Sequence, residues 1–169
     1  MPPTNTKVSP PSYSRRGLFR ALAGVRQVEP VRPPWSLPAG AFRAACTGCG
    51  DCVGDCPQGI LSLVAGLPET SFTAAGCDSC GACASACRTG ALAPATQPQW
   101  RHGVTIQAGC LAEGGIVCRV CGEHCDSRAI TIRPAVGGRA RPILDAAACT
   151  GCGECVAACP AGAITVTPA

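Results

Sequence analysis

The chain is poor in the residues that build an ordinary protein core. Aromatic side chains (three Phe, two Trp and one Tyr) make up 4 % of its 169 residues, and charged side chains 14 %. With so few large side chains, something other than a conventional hydrophobic core must hold the fold together. No stretch approaches the run of about 20 apolar residues that a membrane-spanning helix requires, so a soluble protein without stable membrane insertion is expected. Gly-rich pieces such as Gly48 to Gly54 hold no phosphate-binding fingerprint. Nucleic acid is not an expected partner either. Lys7, Arg15, Arg16, Arg20, Arg26 and Arg32 lie in a stretch whose only aromatics are Tyr13, Phe19 and Trp35, and it matches no nucleic-acid motif.

An export signal is incomplete as well. Ser14-Arg15-Arg16-Gly17-Leu18-Phe19-Arg20 opens like a twin-arginine leader, but Arg26, Glu29, Arg32, Pro33 and Pro34 interrupt the apolar run that should follow, and no small-residue cleavage site is convincing. This reading places the protein in the cytoplasm, where disulfides are disfavoured and thiols are free to bind metal.

Cysteine is what the chain has in excess, with 16 residues. Cys46, Cys49, Cys52 and Cys56, followed by Pro57, form the frame C-x2-C-x2-C-x3-C-P. The same spacing recurs at Cys77, Cys80, Cys83 and Cys87, and at Cys149, Cys152, Cys155 and Cys159, before Pro160. The third copy is altered, with Cys110 standing apart from Cys118, Cys121 and Cys125 as C-x7-C-x2-C-x3-C. No cysteine is left over. Each fourth cysteine is followed at one fixed distance by Ile60-Leu61, Ala91-Leu92, Ala129-Ile130 or Ala163-Ile164, which marks a single structural unit repeated four times.

The unit reads as a cysteine-rich loop, a short helix around the fourth cysteine and a strand. Strands are expected at Ile60 to Val64, Ile130 to Ile132 and Ile164 to Val166, with turns at Gly66-Leu67-Pro68 and Gly137-Gly138. Two units related by a pseudo-twofold make a small domain. The expected fold is α+β: two tandem bacterial-type two-cluster ferredoxin-like domains after an irregular N-terminal arm. The arm covers residues 1–40, the first domain 41–95, a linker 96–103 and the second domain 104–169.

Three thiolates at this spacing wrap one 4Fe-4S cubane, because the loop winds around the cluster and aims backbone N–H groups at its sulfurs. Disulfides do not suit four repeats of C-x2-C-x2-C. Structural zinc draws C-x2-C pairs from separate segments rather than three ligands from one loop. Four 4Fe-4S clusters are therefore expected on the 16 cysteines. In two-cluster ferredoxins the fourth cysteine reaches the neighbouring cluster. Carried over here, the sets are Cys46, Cys49, Cys52 with Cys87; Cys77, Cys80, Cys83 with Cys56; Cys110, Cys118, Cys121 with Cys159; and Cys149, Cys152, Cys155 with Cys125. A second arrangement stays open, pairing the first quartet with the fourth and the second with the third, as in four-cluster subunits of some membrane oxidoreductases. The formal charge of +4 treats the thiols as neutral; with about −2 on each all-thiolate cluster the loaded protein falls to about −4. His124 is expected at the surface and His102 in the linker, neither as a ligand. With a thiolate on every iron no coordination site is open to substrate, so the expected protein is an electron carrier and not an enzyme.

The four frames, the split third motif, Ser14-Arg15-Arg16, Arg32-Pro33-Pro34-Trp35 and Trp100 together resemble the NapF family of ferredoxin-type proteins. The resemblance implies a cytoplasmic accessory of the periplasmic nitrate reductase system that meets the catalytic subunit before export and serves its maturation. Competing readings are an electron-transfer subunit of a stable oxidoreductase complex and an iron-sulfur cluster scaffold.

Overall fold

The computed structural model describes residues 30–93 and 100–168. Arg15 and Arg16, with linker residues 96–99, lie outside the described residues. The first half holds α1 (Ala39–Ala45), α2 (Asp51–Gly54), β1 (Leu61–Val64), β2 (Leu67–Thr70) and α3 (Ala82–Ser85). The second holds β3 (His102–Ile106), α4 (Val120–Glu123), β4 (Ile130–Ala135), β5 (Arg139–Leu144), α5 (Glu154–Ala158) and β6 (Ile164–Pro168).

The two halves repeat one plan. β1 pairs with β2 and β4 with β5 as antiparallel hairpins, with Leu61 opposite Thr70 and Ile130 opposite Leu144. The segment that leads into each half pairs with the segment that ends it. In the second half β3 runs antiparallel to β6, with Ile106 opposite Ile164. In the first half the same closure is reduced to one antiparallel bridge, Ser36 to Leu92. Backbone hydrogen bonds reproduce the fourfold repeat. The carbonyls of Ile60, Ala91, Ala129 and Ala163 accept the N–H of Ser71, Leu37, Asp145 and Gln107 at 2.8, 3.1, 2.8 and 2.7 Å. All four acceptor residues are buried, as are Leu61, Leu92, Ile130 and Ile164 beside them.

The short helices do not sit around the fourth cysteines, as the sequence suggested. Each carries the third: Cys52, Cys83, Cys121 and Cys155 lie within α2, α3, α4 and α5. Gly50, Gly81 and Gly153 precede three of these helices at φ 86°, 78° and 82°, a left-handed turn that glycine adopts without steric cost. The helices stop after four or five residues, and the chain reverses three residues past each fourth cysteine. There Gly59, Gly90, Arg128 and Gly162 all have positive φ, at 62°, 70°, 54° and 58°. Strands β2, β3 and β5 were not expected. The turn foreseen at Gly66-Leu67-Pro68 is centred on Ala65 and Gly66, which leaves Leu67 and Pro68 inside β2.

The end of the expected arm is packed and not irregular. The Arg32 guanidinium donates to the Pro68 carbonyl at 2.7 Å and lies 5.5 Å from the Phe42 ring centre. Trp35 is buried, and it joins Phe42, Ile60, Leu61, Phe72 and Leu92 in the core of the first half. The second half is thinner: Ile130 and Ile164 are its only buried residues besides Cys121 and Cys155 in the corresponding cluster.

Candidate metal centres

Each third cysteine is buried, at 7–9 % relative exposure, while its neighbours in the quartet are half-buried or, for Cys49 and Cys80, exposed. The loops thus present thiols inward from one side and remain near the surface on the other. Cys46, Cys49, Cys52 and Cys87 line one cavity, closed by Phe42, Leu63 and Leu92. Cys56, Cys77, Cys80 and Cys83 line a second, walled by Pro33, Trp35, Ile60 and Trp100. Cys110, Cys118, Cys121 and Cys159 line a third, with Ile106, Ile132 and Ile164 around them. The fourth grouping shows in the electrostatics of Cys155. Burial first, and then its neighbours Cys152, Cys149, Cys125 and Cys121, push that thiol up to about 12. In three cavities the fourth cysteine therefore comes from the neighbouring quartet of the same half, and Cys125 lies beside Cys155 in the same crossed manner.

The donor set fits a cluster better than an ion. Tetrahedral zinc would draw four sulfurs to roughly 3.8 Å from one another. Among the described residues no group of three or more His, Cys, Asp or Glu side chains converges in that way, and all 16 cysteines are free thiols. Thiols arranged around an apolar space, without converging on one point, suit the four iron corners of a cubane. Crowding also marks sites that await positive charge. Burial raises the Cys52, Cys77, Cys83 and Cys121 thiols, and neighbouring cysteines add to the rise. These sulfurs would be held deprotonated if iron bound there, which would reverse that balance.

Hydrogen bonds gather at three of the fourth cysteines. The left-handed turn after each of these three swings a backbone N–H back to its sulfur: Leu92 to Cys87 at 3.3 Å, Ala129 to Cys125 at 3.2 Å and Ala163 to Cys159 at 3.3 Å. Two hydroxyls add to this, Thr89 at 3.6 Å from Cys87 and Ser127 at 3.4 Å from Cys125. Burial alone would raise these two thiols, yet the donors around them bring both below the ordinary value. Sequence reading missed Thr89 and Ser127; each stands two residues after a fourth cysteine, and only the turn geometry shows that this places an oxygen beside sulfur. His124 is exposed at the end of α4. His102, expected in the linker, opens β3, and its ring packs on those of Phe72 and Trp100.

Thiol quartets without other ligands, duplicated within each half and again between halves, define a 4Fe-4S ferredoxin of two dicluster domains. Protein-family models agree. Residues 45–92 and 116–163 each match a 4Fe-4S dicluster domain; the second match leaves out Cys110, which the fold returns to its cavity. The chain is 45 % identical to the ferredoxin-type protein NapF of Haemophilus influenzae over 80 % of its length and 78 % of that protein. It is 39 % identical to NapF of Escherichia coli, over 80 % of this chain and 83 % of that one. The methylamine utilization ferredoxin-type protein MauM of Paracoccus denitrificans is 38 % identical over 90 % of this chain and 80 % of its own. The chain belongs to the NapF family of ferredoxin-type proteins, iron-sulfur proteins of electron transport.

Proposed function

We propose that this chain carries four 4Fe-4S clusters on the four crossed cysteine sets, passes single electrons and makes or breaks no substrate bond. The cavities lined by cysteines from two quartets carry this reading. When bound, the clusters supply one-electron oxidation and reduction. The chain's residues hold them by sulfur, exclude water with Phe42, Trp35 and the isoleucines, and supply N–H and hydroxyl donors to the sulfurs. With a thiolate for every iron no ligand position remains for substrate, which argues against enzymatic catalysis. The reading includes a division into an arm at 1–40, domains at 41–95 and 104–169, and a linker at 96–103, with β3 starting in the last residues of that linker.

The similarity to NapF proteins supports a cytoplasmic accessory that meets the catalytic subunit of periplasmic nitrate reductase before export and serves its maturation. No helix among the described residues is long and apolar enough to cross a membrane. The similarity to MauM favours a second reading, an electron-transfer component of another oxidoreductase system.

Anaerobic reconstitution tests the cluster content: about sixteen irons and as many sulfides per chain are expected, with absorbance that bleaches on dithionite. Cys110→Ser should remove about a quarter of the iron. Stoichiometric zinc without sulfide would end the iron-sulfur reading. Purification from anaerobic, nitrate-respiring cells separates the two readings of the partner, according to whether the nitrate reductase precursor or another oxidoreductase comes with the chain.

A further inference from the structure

The halves meet at one well-defined place. The backbone N–H of Cys77 donates to the carbonyl of Cys152 at 2.7 Å. Cys77 belongs to the second quartet and Cys152 to the fourth, so one short hydrogen bond links residues of two metal centres in different halves. Glycine makes the approach possible on both sides. A Cβ on Gly76 would lie 2.7 Å from the backbone nitrogen of Glu154, and one on Gly153 would overlap the Phe72 ring. A Cβ on Gly151 would press on Trp100 at 2.7 Å. Around this point Phe72, Trp100 and His102 form a cluster of edge and tilted ring contacts with centroids 4.9–5.6 Å apart. Val156 and Val166 of the second half pack on the core of the first.

Within each half a different contact joins the quartets. Cys52 and Cys83, in α2 and α3, share the core of the first half. Cys121 and Cys155, in α4 and α5, share the core of the second. The contacts therefore run from first to second quartet, from second to fourth across the junction, and from fourth to third.

We propose that electrons pass between the halves at the Cys77–Cys152 contact, so that the centres are used in the order first, second, fourth, third and not in chain order. This rests on the four-cluster reading above. Tunnelling falls steeply with distance and is helped by bonded paths, and this contact is both short and hydrogen-bonded. One electron crossing it leaves one cluster oxidised by one unit and its neighbour reduced by one; no bond is made or broken and no proton moves. The first and third quartets become the two outer ends, where a donor and an acceptor must dock. The aromatic cluster shields the crossing, and among the described residues Trp100 Nε1 finds no hydrogen-bond partner there.

The test uses the full chain, loaded with clusters and reduced by dithionite, and reads electron paramagnetic resonance. In a Cys49→Ser, Cys118→Ser background, which weakens the first and third sites, the second and fourth clusters should show a spin–spin interaction. Adding Gly76→Val should abolish that interaction while iron and sulfide stay unchanged. The unaltered chain should likewise relax more slowly once Gly76→Val is introduced. Phe72→Ala, which opens the junction without altering a residue next to any cysteine, serves with the same expectations if Gly76→Val loses iron. Spectra that are identical with and without the junction variant, at full iron content, would overturn the crossing. A wild-type chain that fails to load about sixteen irons would instead overturn the reading on which it rests.

Discussion

Thr89→Val and Ser127→Ala should each lower the reduction potential of one particular cluster. Thr89 Oγ1 accepts the N–H of Ala91 at 3.4 Å, so its own hydrogen is free to point at Cys87 Sγ, 3.6 Å away. Ser127 stands in the same relation to Cys125 at 3.4 Å. A donor at a ligand sulfur stabilises the reduced, more negative cluster, and removing it favours the oxidised one. Thr89 is exposed and its contact is long, so a net value of about 0.5–1 kcal/mol is appropriate. With 59 mV per tenfold change for one electron, that corresponds to about 20–40 mV. On the crossed cysteine sets Thr89→Val acts on the cluster of Cys46, Cys49 and Cys52, and Ser127→Ala on that of Cys149, Cys152 and Cys155. Redox titration followed by paramagnetic resonance reads each centre. An unchanged potential, or a shift at the neighbouring centre of the same half, would refute both the role of the hydroxyls and the crossing of the fourth cysteines.

Two further outcomes follow from single positions. Arg128 alone occupies the left-handed position that glycine fills in the other three repeats; Arg128→Gly should stabilise the loaded protein by about 0.5–1 kcal/mol and Arg128→Val destabilise it by more than 1 kcal/mol, read as thermal midpoint. Burial among Phe72 and Trp100 holds the His102 pKa below its ordinary value, with the Gly151 backbone opposing this only in part. A depressed base contributes stability above its unfolded pKa and loses it on acidification, so stability should fall as pH drops below about 6.5. His102→Phe should remove that part of the acid dependence, and an unchanged pH profile in this variant would show that the His102 pKa is the same in the folded and unfolded chain.

The cysteine frames and the paired apolar residues four and five positions past each fourth cysteine were legible because ligation and burial impose fixed spacings. Helix position was not. Helices of four or five residues are too short for any periodicity, and what places three of the four is the left-handed glycine two residues before the third cysteine. Strands β2 and β5 were hidden by Pro68 and Pro142, which argue against a strand unless it lies at an edge, as every strand of a two-stranded sheet does. β3, with Gly103 at its second residue, carries too little alternation to stand out. The junction between the halves depends on Phe72, Gly76 and Gly153, and nothing in the local sequence of any of them points to a residue so far along the chain.

The pairing of each half's first segment with its last has a consequence for biosynthesis. A ribosome releases the chain from its start at about 5–20 residues per second. Ser36 cannot find Leu92, nor the loop of Cys46 its Cys87, until the whole first half has emerged. From that moment the first half can close and take up metal while the remaining residues are still being made, an interval on the order of ten seconds. The second half closes later, because β3 cannot pair until β6 has been made. Oxygen or scarcity of iron during translation should therefore damage the second half first, and partly loaded molecules should be enriched in centres of the first.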